Sequence, residues 1–123
     1  MSLVARHLEE NGIPTVIMGC AKDIVEHCGV PRFLYSDFPL GNSAGKPFDR
    51  ESQAQTLELA LRVLESAPGP RTTVQSPQRW SADAAWKPEY SNVSKLTPED
   101  IVERRKEFDQ VKATIKTIQD KGA

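Results

Sequence analysis

Gly12-Ile13-Pro14-Thr15-Val16-Ile17-Met18-Gly19-Cys20, read on through Arg32-Phe33-Leu34-Tyr35 to Pro39-Leu40-Gly41-Asn42, spells out a compact β-α-β unit. Gly12 follows a helix expected over residues 3–11, with Leu3, Val4, His7 and Leu8 on one face. Glycine takes the positive φ of a helix-ending position without a Cβ penalty. Pro14 opens a short apolar run, Thr15 to Met18, whose length and β-branched content favour a buried strand. Residues 21–28 read as a short helix carrying Ile24, Val25 and Cys28, closed by Gly29. Arg32 to Tyr35 is a second strand. Two short apolar strands joined through a helix pair in parallel.

The expected fold is therefore α/β: a small parallel sheet with flanking helices, half of a Rossmann-like sheet, followed by an aromatic arm and a long C-terminal helix. Outward from the unit, Pro39 to Pro47 is a loop rich in Gly, Asn and Pro. Asp49 is placed to cap a helix running to about Ala67, where Pro68-Gly69-Pro70 stops it. Leu57, Leu61 and Leu64, with Ala60 among them, give that helix an apolar stripe. The α/β core is thus expected over residues 1–67. Residues 68–96 are proline-rich and poor in aliphatics, and they hold Trp80, Trp86 and Tyr90. They read as an extended arm whose aromatics anchor on a partner or staple the arm back onto its own sheet. Residues 97–123 form the last helix: Thr97 caps, Pro98 takes the first position, and acids follow. Ile101, Phe108, Val111, Ile115 and Ile118 recur at spacings of 7, 3, 4 and 3, a narrow seam that packs on one surface.

Composition narrows the function classes. The 123 residues carry a net charge of −1 with 27% charged residues, which gives no basic excess for nucleic acid. No apolar run approaches the ~18 residues of a membrane span. The first residues lack the charged-then-apolar layout of a signal peptide. Two cysteines in that setting are expected as reduced thiols in the cytoplasm.

Sites in open α/β sheets form beyond the carboxyl ends of the strands. Cys20 follows the first strand there, where the next helix's N-terminus can favour a thiolate; the competing reading is a small buried hydrophobe. Gly41-Asn42-Ser43-Ala44-Gly45-Lys46 invites a phosphate-loop reading. It is one residue short of that spacing, and Pro47 stands where Ser or Thr holds magnesium. A backbone nest with Lys46 as its charge is the remaining anion reading, against a tight surface loop. Asp37, Asp49 and Arg32 flank the loop as groups that can orient a polar substrate, although Asp49 is explained as a cap. Cys20, His27, Cys28 and His7 match no common zinc spacing, so no metal and no cofactor is expected.

Gly12-Ile13-Pro14-Thr15-Val16, then Gly29-x-Pro31-Arg32, Pro39-Leu40-Gly41, and Gln53 with Arg62-Val63-Leu64 together resemble the C-terminal part of the glycine/betaine/sarcosine/D-proline reductase component B family, the selenoprotein B family. The resemblance covers about residues 2–67. It implies a reacting selenocysteine or cysteine just before the helix that leads into Gly-Ile-Pro. That group attacks the substrate α-carbon and displaces an amine, and the enzyme is then reduced by a dithiol or thioredoxin-type donor. By analogy the motif falls upstream of Ser2. It is expected either on a separate catalytic subunit or behind an upstream UGA codon. The resemblance thus implies a small subunit or C-terminal portion of an oxidoreductase, not active alone. Beside that resemblance, the residues themselves offer Cys20 as the candidate catalytic group bordering the pocket and Asn42, Ser43, Gly45 and Lys46 as binding a small polar substrate, with the nucleophile from another segment or chain. The alternative is a non-catalytic scaffold subunit of a hetero-oligomer, using the arm and the helix seam.

Overall fold

The computed structural model describes residues 1–90, 94 and 96–122, the side chains of residues 89, 90, 121 and 122 excepted. The side chain of Tyr90, expected as an anchor, lies outside the described residues. The chain divides into two compact units, Met1–Ala84 and Ala85–Ala123.

The first unit runs α1 (Ser2–Glu10), β1 (Ile17–Gly19), α2 (Lys22–Cys28), β2 (Arg32–Tyr35), α3 (Arg50–Ser66) and β3 (Thr72–Gln75). The three strands form one sheet in the order β1-β2-β3. Both pairings are parallel, with Met18 opposite Leu34 and Leu34 opposite Val74. The α/β class and the first two strands follow the sequence reading. Gly12 and Gly29 close α1 and α2 at φ of 79° and 73°, the left-handed region where glycine has no steric penalty.

Adjacent residues of β2 serve opposite faces of the sheet. Leu34, fully buried, packs with Ala60 and Val63 of α3 and with the half-buried Val16, Met18 and Leu59. Phe33 lies on the other face, against Gly19 and Val25: a Cβ on Gly19 would stand 3.0 Å from the Phe33 ring and 3.7 Å from Val25. A side chain at position 19 would require the Phe33 ring to give way by a few tenths of an ångström.

Two expectations are corrected. First, the row of α3 that is buried is Ser52, Thr56, Ala60 and Val63, while Leu57 and Leu61 stay half exposed. Small side chains let the helix approach the sheet. Their hydroxyls are satisfied: Thr56 Oγ1 donates to the Ser52 carbonyl at 2.8 Å, and Gln78 Nε2 donates to Thr56 Oγ1 at 2.9 Å. A buried polar row is tolerated when its groups are paired. Second, α1 buries Ala5, leaving Leu3 and Val4 exposed. The segment read as an arm supplies β3 and then folds back onto its own unit, the second of the two readings the sequence left open. Ser52 Oγ donates to Gln78 Oε1 at 2.5 Å, and Trp80 packs on Phe38 with ring centroids 5.5 Å apart. This part of the segment lies within the first unit, Met1–Ala84.

The second unit holds a short helix α4 (Trp86–Tyr90) and α5 (Pro98–Gly122). The expected cap is a reciprocal pair. Asp100 N donates to Thr97 Oγ1 at 3.2 Å, and Thr97 N donates to the Asp100 carboxylate at 2.9 Å. The Thr97 N–H, joined by the Thr97 hydroxyl donating at 2.8 Å, holds the Asp100 carboxyl below its usual range. Every residue from Ile101 to Asp120 is exposed.

Candidate functional site

Because all three strands are parallel, their carboxyl ends share one edge of the sheet, and the loop from Ser36 to Asp49 leaves from that edge. The backbone hands the chain across it: Ser36 N donates to the Gly19 carbonyl at 2.9 Å, and Ser76 N to the Tyr35 carbonyl at 2.7 Å. Cys20 sits where β1 ends. Its Sγ lies 3.9 Å from Ser43 Oγ, and backbone N–H groups of Phe38 and Asn42 also approach the sulfur. The loop therefore curls over the thiol.

Burial pushes the Cys20 thiol above its ordinary pKa, and the nearby Asp37 charge adds to this. The hydrogen bonds from Ser43, Phe38 and Asn42 oppose the shift and are outweighed. With its pKa raised, Cys20 is a protonated thiol at neutral pH. In a Cys28→Ser chain, we expect alkylation of Cys20 by iodoacetamide to rise with pH through a midpoint above that of free cysteine. A midpoint below it would identify an activated thiolate. The proton is held more tightly in the folded chain than in the unfolded one. Cys20 therefore lowers folding stability as pH climbs past the ordinary thiol range.

Tyr35 ends β2 beside this thiol. Its hydroxyl donates to Asp37 Oδ1 at 3.1 Å, and Lys22 Nζ stands 5.8 Å from the ring centroid. Burial, the Asp37 hydrogen bond and the charges of Asp37 and Cys20 all raise the Tyr35 pKa, keeping it a neutral phenol. Sequence reasoning took Tyr35 only as a strand residue. Its position as the last residue of a parallel strand was the signal that marks it for this edge.

The remaining loop residues are divided. Asn42 and Gly45 line a cleft of ≈ 430 Å³ with Met18, Pro47, Gln53 and Leu57. Ser43 is the residue turned to Cys20. Lys46 lines a separate, polar groove with Asp49, Ser52, Gln55, Gln78 and Arg79. Cys20 thus meets Ser43 and the Asn42 backbone, while Asn42 and Gly45 line one cleft and Lys46 another groove along the same loop.

Other sequence candidates have structural duties. Arg32 begins β2, at the opposite end of the strand from Cys20. It donates to Glu9 at 2.6 Å, and the same carboxylate oxygen accepts Thr15 N at 2.6 Å. Asp49 accepts from Ser52 N at 3.0 Å as the α3 cap. A carboxylate already seated on the first turn of α3 opposes an anion at that helix end. Among the described residues, no three His, Cys, Asp or Glu side chains group to hold a metal. No helix among them is long and apolar enough to cross a membrane.

A small parallel α/β unit with a thiol, a phenol and a glycine-bearing loop at its carboxyl edge is the class of site present. Over 80 residues, 65% of its length, the chain is 32% identical to the D-proline reductase subunit gamma of Acetoanaerobium sticklandii. It covers 33% of that protein, so it spans about a third of the length of this relative. No protein-family model matches the chain, and no solved structure matches it.

Proposed function

We propose that this chain serves as a small subunit or C-terminal portion of a reductase of the component B (selenoprotein B) type, acting on D-proline or a similar small amino acid. The observation that carries the reading is the similarity to a D-proline reductase subunit. In such a reaction a carbon–nitrogen bond breaks, one hydrogen is added at carbon and one at nitrogen, and a dithiol supplies both with its two electrons and becomes a disulfide. A nucleophile on another segment or chain attacks carbon. The carboxyl-edge loop positions the substrate: Asn42 and Gly45 border the cleft, Lys46 on the same loop supplies a positive charge for a carboxylate, and Ser43 holds Cys20. As a protonated thiol, Cys20 serves as a polar wall or proton donor and not as the attacking atom.

The docking half of the proposal draws on exposed features of the first unit. Phe48, at φ 59°, is fully exposed at the end of the loop. A large side chain in the left-handed region and in water is a feature that a partner surface accounts for. Leu57 and Leu61 are also half exposed. The outer strands β1 and β3 each have one edge unpaired among the described residues.

The test is purification of the tagged chain from its native cells, with the eluate assayed for dithiol-dependent loss of D-proline and a panel of small amino acids. The reading predicts turnover in the eluate of the native chain. Cys20→Ser and Lys46→Ala eluates of the same subunit composition should show reduced turnover. Absence of dithiol-dependent turnover for every substrate overturns the reductase reading. Unchanged turnover in both variants, alongside loss of assembly in Phe48→Ala, would favour the scaffold reading.

A further inference from the structure

We infer that α5 pairs in parallel with the same helix of a second copy of this chain, as a short coiled coil. The helix is 25 residues long, and its seam is uncovered: Ile101, Phe108, Val111, Ile115 and Ile118 are each 50–64% exposed. An isolated helix gains little stability from propensity alone, so a regular apolar seam on an otherwise charged helix calls for a surface to cover it.

Charge decides which surface. With Ile101, Phe108 and Ile115 at the a positions, Val111 and Ile118 fall at d. Asp100, Glu107 and Thr114 then occupy g, and Arg105, Lys112 and Gln119 occupy e. In a parallel pair, each g residue meets the e residue five positions later on the other helix. Asp100 then faces Arg105, Glu107 faces Lys112, and Thr114 faces Gln119. Every charged pair is attractive, twice over by symmetry. In an antiparallel pair the e rows face each other, which sets Arg105 and Lys112 against their own kind. The present partner of Arg105 is Asp109, at a loose 3.8 Å and well exposed, so it is easily exchanged. Arg104 takes a d position near the start of the helix. The tight part of the seam is therefore Phe108 to Ile118, while the Arg104 stem lies along the apolar surface with its charge in water.

The inference stands apart from the reductase reading, because it concerns only this helix. It is tested by sedimentation equilibrium on the full chain. The expected result is an assembly of two or more copies that falls to 13.7 kDa in Ile115→Asp. Glu107→Lys should weaken self-association roughly tenfold, by replacing attraction with repulsion at both symmetric pairs. Adding Lys112→Glu should restore it, as only parallel pairing requires. A native chain that stays at 13.7 kDa at all concentrations overturns the inference. So does an assembly that survives Ile115→Asp, or a double variant no tighter than Glu107→Lys.

Discussion

Gly45→Ala should cost about 2–5 kcal/mol of folding stability and dislodge the loop that covers Cys20. Two effects add. Gly45 sits at φ 107°, where a side chain strains the backbone by about 1–3 kcal/mol. A Cβ there would also lie 2.8 Å from both N and Cα of Gln53 and 3.0 Å from the Ser52 carbonyl carbon. Those atoms are backbone in the first turn of α3, so they cannot swing aside as a side-chain tip does, and the loop must move instead. That loop is pinned on either side of the contact. Lys46 N donates to Ser52 Oγ at 3.0 Å, and Gln53 Nε2 donates to the Lys46 carbonyl at 3.0 Å. Gly41→Ala is the control: its φ is 97°, but nothing lies within 4 Å of an added Cβ. Urea denaturation of both variants separates strain from collision. Equal losses in the two would mean that the Gly45 contact with α3 carries no weight.

Punctuation made much of the fold legible. Gly12, Gly29 and Asp49 each mark a helix end with a chemistry that few other residues supply, and the structure uses all three. The strand Arg32 to Tyr35 was legible because an apolar pair with flanking β-formers, boxed by Pro31 and the loop, leaves little else to form. The third strand was not. Thr72-Thr73-Val74-Gln75 is short, half polar and set among prolines. Among the described residues it is an outer strand paired on one side only, so burial imposes no apolar run on it. The face of α3 was misread for a related reason. Leucine spacing marks where apolar atoms lie, but the sheet accepts the smaller row Ser52, Thr56 and Ala60. That choice depends on Gln78, 22 residues beyond Thr56, arriving to satisfy the hydroxyls.

The site was legible in place more than in detail. That Cys20 and the following loop share the carboxyl edge follows from parallel pairing alone. Which loop residue turns to the thiol does not, since it is set by the turns at Gly41 and Gly45. Ser43 faces Cys20, while Lys46, three residues on, belongs to another groove. The ionisation of Cys20 was also beyond the sequence. A helix start and three hydrogen-bond donors favour a thiolate, burial and Asp37 oppose it, and only the geometry shows that burial prevails.

Leu34→Ala is expected to cost about 2–5 kcal/mol, and Leu61→Ala less than about 1 kcal/mol. Both remove the same atoms from a leucine, so the contrast isolates where the core lies. Leu34 is fully buried in the central strand, among Ala60, Val63 and Met18. Its removal leaves a cavity that a strand held on both sides by ladder bonds cannot close. Leu61 is 51% exposed on α3 and forfeits only partial contact. A domain of this size has about 5–10 kcal/mol of total stability, so the first substitution alone should bring the unit close to unfolding near body temperature. Chemical denaturation of the chain in the monomeric Ile115→Asp background keeps self-association out of the comparison. Equal losses at the two positions would mean that α3 turns its leucine stripe inward, and that the row Ser52, Thr56, Ala60 and Val63 is not what the sheet buries.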